Sequence, residues 1–284
     1  MKTIREPRLM HNESEGFRSA GKRIALVPTM GALHGGHTAL IREARTRGDV
    51  VIVTVFVNPA QFGEGEDFNR YPRDSEGDLR TASEAGADIL FAPETAAMYP
   101  PGYQTFVTVE ALSLPLEGAA RPGHFRGVAT VVAKLFNITC PHCAIFGQKD
   151  AQQVVVLRRM SRDLDLGIEI VVVPTVREGD GLALSSRNAY LSVSERREAP
   201  VLYRALRIAE ERIRAGERSA AAVVAAVTSE ITARSSASID YVSVADAETL
   251  EPLSALDAGR TLLVSLAARF GTTRLIDNIH IRIE

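Results

Sequence analysis

Two histidines three residues apart, His34 and His37, follow Met30-Gly31-Ala32-Leu33 and enclose Gly35-Gly36. At the first turn of a helix this spacing puts both rings on one side. The unpaired amides there, with the positive end of the helix dipole, favour an anion. The glycines let the backbone turn sharply and approach a ligand closely. Imidazoles donate hydrogen bonds to phosphate oxygens and, when protonated, offset the charge on a leaving pyrophosphate. The segment therefore reads as a nucleotide phosphate site. A His-x-x-His pair also fits a solvated helix face or part of a metal site, but zinc needs three or four ligands. The remaining candidates, Cys140 and Cys143 in Cys140-Pro141-His142-Cys143, are the chain's two cysteines and read as structural or incidental.

Four other segments carry groups of the same kind. Asn58 and Gln61 follow an apolar run and can act as ligand-binding amides, although Asn58-Pro59 also reads as an ordinary turn. Arg121 and His124 lie in a polar, glycine-bearing loop that suits either an anion or solvent. Gly147-Gln148-Lys149-Asp150 runs into a helix bearing Gln153. Lys149 is a compact cation for a phosphate, and Asp150 can accept ribose hydroxyls or simply cap the helix. Ser185, Ser186 and Arg187 supply two hydroxyls and a guanidinium, a pattern also common on surfaces.

The elements that must position these groups are legible as patterns. Ile24 to Val27, Val50 to Val57, Asp88 to Phe91, Ala144 to Phe146 and Ile168 to Val173 are short apolar, β-branched runs of the kind found in parallel strands covered on both faces. Pro28 is expected to end the first of them, and the second is expected to be its neighbour. Helical stretches at Thr38 to Arg47, Asp78 to Ala85 and Val128 to Ile138 alternate with these strands, which predicts a doubly wound parallel sheet with ligands at the strands' carboxyl ends. The pattern then changes. Ser192-Val193-Ser194-Glu195 resembles a capping box opening a helix to about Ala215, a second helix spans about Ser219 to Arg234, and strands follow at Asp240 to Val244, Thr261 to Leu266 and Thr273 to Ile283. This predicts a smaller α+β domain.

Composition sets the outer limits. A chain of 284 residues exceeds the usual single-domain size, so two domains are expected. With 45% hydrophobic and 24% charged residues, it can bury a substantial core. A net charge of -2 and a pI near 6.3 argue against a nucleic-acid partner. No apolar run is long enough to span a bilayer, and Met1 to Ser19 lacks the apolar centre of a secretory signal. With two cysteines and no disulfide framework, a cytoplasmic location is expected.

Pro28 to His37, Phe56 to Phe62, Arg121 to Phe125, Gly147 to Gln153 and Leu184 to Asn188, in this order, closely resemble the pantothenate synthetase (pantoate-beta-alanine ligase) family. Ile239 to Val242 and Leu275 to Asn278 also match its pattern. The resemblance implies a Rossmann-like fold of the nucleotidyltransferase superfamily, with a nucleotide- and pantoate-binding domain over 1–175 and a lid domain over 176–284. It implies ATP-dependent condensation of pantoate with β-alanine through pantoyl adenylate, with Mg2+ and a homodimer. By position, Met30, Gly31, Ala32, Leu33, His34, Gly35, Gly36 and His37 line the triphosphate site, with His37 as proton donor. Gly147, Gln148, Lys149, Asp150 and Val176 contact the nucleotide, with Lys149 reaching phosphate, and Leu184, Ser185, Ser186 and Arg187 close over the phosphates. Gln61 and Gln153 hold pantoate, Asn58, Arg121 and His124 join the substrate site, and Asp78 is the candidate metal ligand.

Three positions depart from the family pattern. Gly35 and Gly77 stand where relatives often carry acids, and Leu184 replaces a common methionine of similar volume. A nucleotidyltransferase for another acceptor would not need Gln61 and Gln153 together. A regulatory nucleotide-binding module would not need Lys149 and the Ser185-Ser186-Arg187 clamp.

Overall fold

The computed structural model describes all residues from Met1 to Glu284. They form two compact units, one of residues 1–148 and 153–174, the other of residues 149–152 and 175–284.

The first unit runs β1 (Lys2–Ile4), α1 (Pro7–Ser19), β2 (Ile24–Thr29), α2 (Gly35–Arg47), β3 (Val50–Val55), α3 (Ser75–Ala85), β4 (Ile89–Phe91), α4 (Thr95–Met98), α5 (Glu117–Ala120), α6 (His124–Thr139), β5 (Cys143–Gly147), α7 (Ala151–Asp163) and β6 (Glu169–Val173). Its six strands are all parallel, in the order β1-β4-β3-β2-β5-β6. Successive strand residues face opposite layers. Ile24, Leu26, Ile52, Ala144 and Phe146 pack with Met10, Val128, Val132 and Leu157, while Ala25, Val27, Val51, Val53 and Ile145 pack with Ile41, Ala44 and Ala82. Burial on both faces explains why these strands are continuously apolar.

The expected doubly wound sheet is present, with β3 beside β2. Pro28, expected to end the first strand, lies inside it opposite Thr54. In this register Thr29 accepts from β3, whereas Ile24, and by alternation Pro28, turns its peptide edge toward β5. Pairing with β5 stops at Leu26, so the proline's missing N–H costs no ladder bond. Several helices begin earlier than their apolar pattern: α2 at Gly35, α3 at Ser75 and α6 at His124. Their first turns are polar, and helical patterning reads only the buried face. The pairing of β1 with β4 and the packing of α1 also escape the sequence pattern, because a three-residue strand has too little periodicity to read.

Cys143 is fully buried in β5, and Cys140 holds the left-handed residue that ends α6, at φ 42°. Both are thiols whose pKa burial pushes up. No group of three or more His, Cys, Asp or Glu residues is placed to hold a metal ion. No helix is long and apolar enough to cross a membrane.

The second unit contains α8 (Val193–Glu198), α9 (Val201–Arg214), α10 (Ala220–Arg234) and an antiparallel sheet of β7 (Ser238–Asp246), β8 (Thr261–Phe270) and β9 (Thr273–Arg282). Leu202, Leu206, Val223, Val227, Leu262, Val264 and Phe270 form its core. The Ser192 capping box is present, with Ser192 and Glu195 exchanging backbone hydrogen bonds. The single helix expected after it is two, because Pro200 supplies no N–H to the Arg196 carbonyl and its ring crowds that oxygen.

One buried ion pair ties the start of this unit to its last strand. Arg177 grips Asp277 of β9 bidentately, with N···O distances of 2.6 and 2.9 Å, and its guanidinium lies 3.8 Å from the Tyr203 ring centroid. Asp277 is 3% exposed. Asp277→Ala leaves that guanidinium unpaired and is expected to destabilise the protein by about 3 kcal/mol. Glu13→Ala, which breaks the exposed Lys2–Glu13 pair, is expected to cost under about 1 kcal/mol. Urea denaturation of the two variants checks the contrast.

Candidate functional site

The loops after β2, β3 and β5 all leave the carboxyl edge of the sheet, and β2 lies between β3 and β5. The order in which strands are added reverses here, since the chain goes from β2 to β3 on one side and then to β5 on the other, and such switch points are where open α/β sheets bind ligands.

The loop after β2 bends through two consecutive residues with positive φ, Gly31 at 88° and Ala32 at 50°. A Cβ on Gly31 would stand 2.8 Å from Asp78 Oδ2 and 3.0 Å from Val55. Asp78, on α3 and 3% exposed, anchors the bend: Oδ2 accepts from the Ala32 N–H at 3.1 Å and Oδ1 from the Leu33 N–H at 2.7 Å. Burial pushes its pKa up, against the downward pull of these amides. Both carboxylate oxygens are thus engaged with backbone, which places Asp78, the expected metal ligand, as a brace for the bend. Asp74 caps α3 by accepting from the Gly77 N–H at 2.9 Å, and a Cβ at 77 would lie 2.1 Å from its Oδ2.

His34 is the N-cap of α2 and forms a reciprocal pair with His37. His34 Nδ1 accepts from the Gly36 N–H at 3.1 Å, and His37 Nδ1 accepts from the His34 N–H at 3.2 Å. A ring nitrogen that accepts an N–H carries no proton, so both rings hold the Nε2–H tautomer and keep Nε2 as the donor end. Their centroids are 4.1 Å apart. Nδ1 of each ring is thereby committed to the cap. The cap is closed by imidazoles, with Gly35 rather than an acid beside them.

Gln61 ends the short turn after β3 and is held on every side. Its Oε1 accepts from Asn58 Nδ2 at 3.0 Å, its Nε2 donates to Met30 Sδ at 3.1 Å, and its carbonyl accepts from His124 Nδ1 at 2.9 Å and Arg121 Nη2 at 3.3 Å. Gly127 permits this approach, because a Cβ there would lie 2.1 Å from the Ala60 carbonyl oxygen and 2.6 Å from Gln61 Cα. Arg121 pairs bidentately with Glu66, both contacts at 2.7 Å, and its Nη1 donates to His124 Nε2 at 3.2 Å. Burial raises the Glu66 pKa, but the guanidinium outweighs it and the net shift is downward. Burial, reinforced by the Arg121 charge, pushes His124 down to about 4. Asn58, Arg121 and His124, expected at the substrate site, thus have Gln61 and its neighbours as partners. Gln153 lies partly exposed in the first turns of α7, after β5.

In the second unit, the side-chain amide of Asn278 donates to the Lys149 carbonyl at 2.9 Å. The Lys149 ammonium lies 3.9 Å from the half-exposed Asp150 carboxylate. The Val176 carbonyl accepts from the Leu184 N–H at 2.9 Å, closing a hairpin in which Arg177 bridges to Ala183. Ser185 caps the following turn by accepting from the Arg187 N–H at 3.3 Å, and Ser186 and Arg187 lie within that turn. Asn188 Nδ2 ties the turn to Glu178 and to the Ala183 carbonyl.

Sequence reasoning overlooked Glu66, Tyr99, Gly127, Asp277 and Asn278 as contributors. Glu66 and Tyr99 stand in no readable pattern. Asp277-Asn278 stood out only by resemblance, and two polar residues on buried positions of a strand were the available signal.

The His124 shift has a signed consequence. Its native pKa of about 4 lies below the ordinary value of about 6.5, so native and unfolded chains bind the same protons above that value. As pH falls from about 6.5 to 4, the unfolded chain binds a proton that the native chain refuses, and stability drops. His124→Gln is expected to flatten that part of the stability profile relative to the parent, measured by urea denaturation at pH 7, 6 and 5.

The Pantoate-beta-alanine ligase family model matches residues 2–280. The chain is 59% identical to a pantothenate synthetase of Roseiflexus castenholzii over 255 residues, 90% of this chain and 91% of that one. It is 54% identical to one of Heliobacterium modesticaldum over the full length of both. Among solved structures, the pantothenate synthetase of Thermus thermophilus superposes with a TM-score of 0.90 at 49% identity, covering 98% of this chain and 99% of that one. A pantoate-beta-alanine ligase of Francisella tularensis, complexed with beta-gamma ATP and beta-alanine, superposes with a TM-score of 0.79 at 32% identity over 98% and 97%. Matches of this length and identity, on the same overall fold, establish that the chain belongs to the pantoate-beta-alanine ligase family.

Proposed function

We propose that the chain makes pantothenate in two steps, each assisted by the groups described above. Family membership makes it an amide-forming, ATP-using ligase of pantothenate biosynthesis. A free carboxylate is a poor acyl donor, so pantoate first attacks the α-phosphate of ATP, giving pantoyl adenylate and pyrophosphate. The β-alanine amine then attacks the acyl carbon, and AMP leaves.

The observation that carries the residue assignment is the reciprocal cap of His34 and His37, which fixes both rings at the start of α2 with the ring proton on Nε2. Neutral N–H donors there suit phosphate oxygens that gain charge as pyrophosphate departs. In this reading Met30 to His37 receive the triphosphate, and His37 serves the leaving group with His34 beside it. Gln61 and Gln153 bind pantoate. Gly147 to Asp150 and Val176 contact the nucleotide, Lys149 supplies a cation to phosphate, and Leu184 to Arg187 close over it. Asn58, Arg121 and His124 act by supporting Gln61. The proposed division of labour is a nucleotide- and pantoate-binding domain over 1–175 and a lid over 176–284.

Mg2+ belongs to the proposal as the counter-ion of ATP. The chain supplies no cluster of three or more ligating side chains, and Asp78 is engaged elsewhere, so no step is assigned to a protein-held metal. A homodimer is carried over from the family resemblance, and a cytoplasmic location from the two cysteines with no disulfide framework.

Pyrophosphate release with ATP, Mg2+ and pantoate, followed by addition of β-alanine while AMP is monitored, tests the scheme. A pantoate-dependent burst that becomes steady turnover is expected; silence from folded protein would overturn it. His37→Ala is expected to slow the burst by roughly 10²- to 10³-fold with the fold intact. Gln61→Ala is expected to raise the pantoate KM by at least roughly tenfold with little change for ATP.

A further inference from the structure

Asn58 is 1% exposed, and its carboxamide makes four hydrogen bonds. Oδ1 accepts from the Tyr99 hydroxyl at 2.8 Å and the Ala60 N–H at 3.2 Å; Nδ2 donates to Gln61 Oε1 at 3.0 Å and to the Gly127 carbonyl at 3.1 Å. The Ala60 N–H can only donate and the Gly127 carbonyl can only accept, so the Asn58 amide has one orientation. Its Nδ2 can only donate, so the atom of Gln61 that faces it is Oε1. The other end of Gln61, the NH2 group, therefore points away, and one of its protons meets Met30 Sδ. Gln61 thus offers the substrate a donor.

The hydroxyl of Tyr99 completes this chain from a distance of 41 residues, just beyond α4. Its ring is held edge-on by Tyr103, with centroids 5.0 Å apart, and rests 6.2 Å from Phe56. Burial pushes the phenol pKa up, so the proton stays in place at working pH. Hydrogen bonds in series polarise one another, so a donor on Oδ1 strengthens the donation from Nδ2.

We propose that Tyr99 is a positioning residue for the acid substrate: its hydroxyl, acting through Asn58, holds the Gln61 carboxamide with its N–H end toward an acceptor oxygen of pantoate. This rests on the reading of Gln61 as a pantoate contact. Tyr99→Phe keeps the ring packing and deletes only the donor, leaving one lone pair of a buried oxygen without a partner.

The test measures pantoate-dependent ATP–pyrophosphate exchange for the parent, Tyr99→Phe, Gln61→Ala and the double variant, with thermal unfolding alongside. Tyr99→Phe is expected to raise the pantoate KM roughly three- to tenfold, with the ATP KM unchanged. In the Gln61→Ala background the same change is expected to add nothing, because the group being positioned is gone. A Tyr99→Phe enzyme with parental pantoate KM beside an impaired Gln61→Ala overturns the relay alone. Equal effects of Tyr99→Phe in both backgrounds, or on ATP and pantoate alike, identify a merely structural tyrosine and also overturn it. An unaffected pantoate KM in Gln61→Ala overturns the assignment of Gln61 and the relay with it.

Discussion

The loop after β2 depends on one carboxylate. Asp78 supplies acceptors to two successive amides, those of Ala32 and Leu33, at a bend where neither residue nor its predecessor Gly31 has a partner strand. Keeping a charge at 3% exposure is unfavourable, and the upward pKa shift records that cost. The two short amide contacts offset part of it and hold backbone that would otherwise be strained, since positive φ at Ala32 is disfavoured for a residue with a Cβ. Everything beyond the bend inherits its position, including the N-cap at His34 and the direction in which α2 begins.

The same logic, polar atoms used up by neighbours so that one end of a group is left pointing outward, recurs at the other key positions. The imidazoles of His34 and His37 exchange backbone bonds through Nδ1, which assigns the proton to Nε2 on both. Gln61 gives up its oxygen to Asn58 and its carbonyl to Arg121 and His124, and its NH2 group faces Met30 Sδ. Around them the charges are neutralised locally: Glu66 takes the Arg121 guanidinium, and His124 is driven neutral by burial and by that same cation. The result is a set of neutral donors placed by saturated partners, an arrangement preorganised for anionic substrates.

The second unit solves a different problem. Among its contributions to the proposed chemistry is a tight, half-buried turn, and the brace around it is made of ion pairs and amides. Arg177 fastens the hairpin to Asp277, Asn188 fastens the turn to the hairpin, and Asn278 holds the backbone at Lys149. Two adjacent residues of β9 thus secure two segments that lie 129 and 100 residues away in the chain.

The sequence by itself determined the class of fold and nominated a place for the chemistry, because both are written in local patterns. Continuous apolar runs specify doubly covered strands, and Pro28-Thr29-Met30-Gly31-Ala32-Leu33-His34-Gly35-Gly36-His37 announces an anion-binding helix start in residue types alone. Position along the chain was also enough to nominate Gln61 and Lys149. Tertiary structure decided which partner each polar group meets. Asp78, read as a metal ligand, meets two backbone amides; Asn58, Arg121 and His124, read as ligand contacts, meet Gln61; Pro28 reads as a strand end and lies within the strand. In each case the outcome depends on which partner, tens of residues distant, reaches the atom first, as Tyr99 reaches Asn58 and Asp78 reaches Ala32. A carboxylate or carboxamide looks the same in sequence whichever partner it meets, and only the packed chain determines which of its hydrogen-bonding positions remain for substrate.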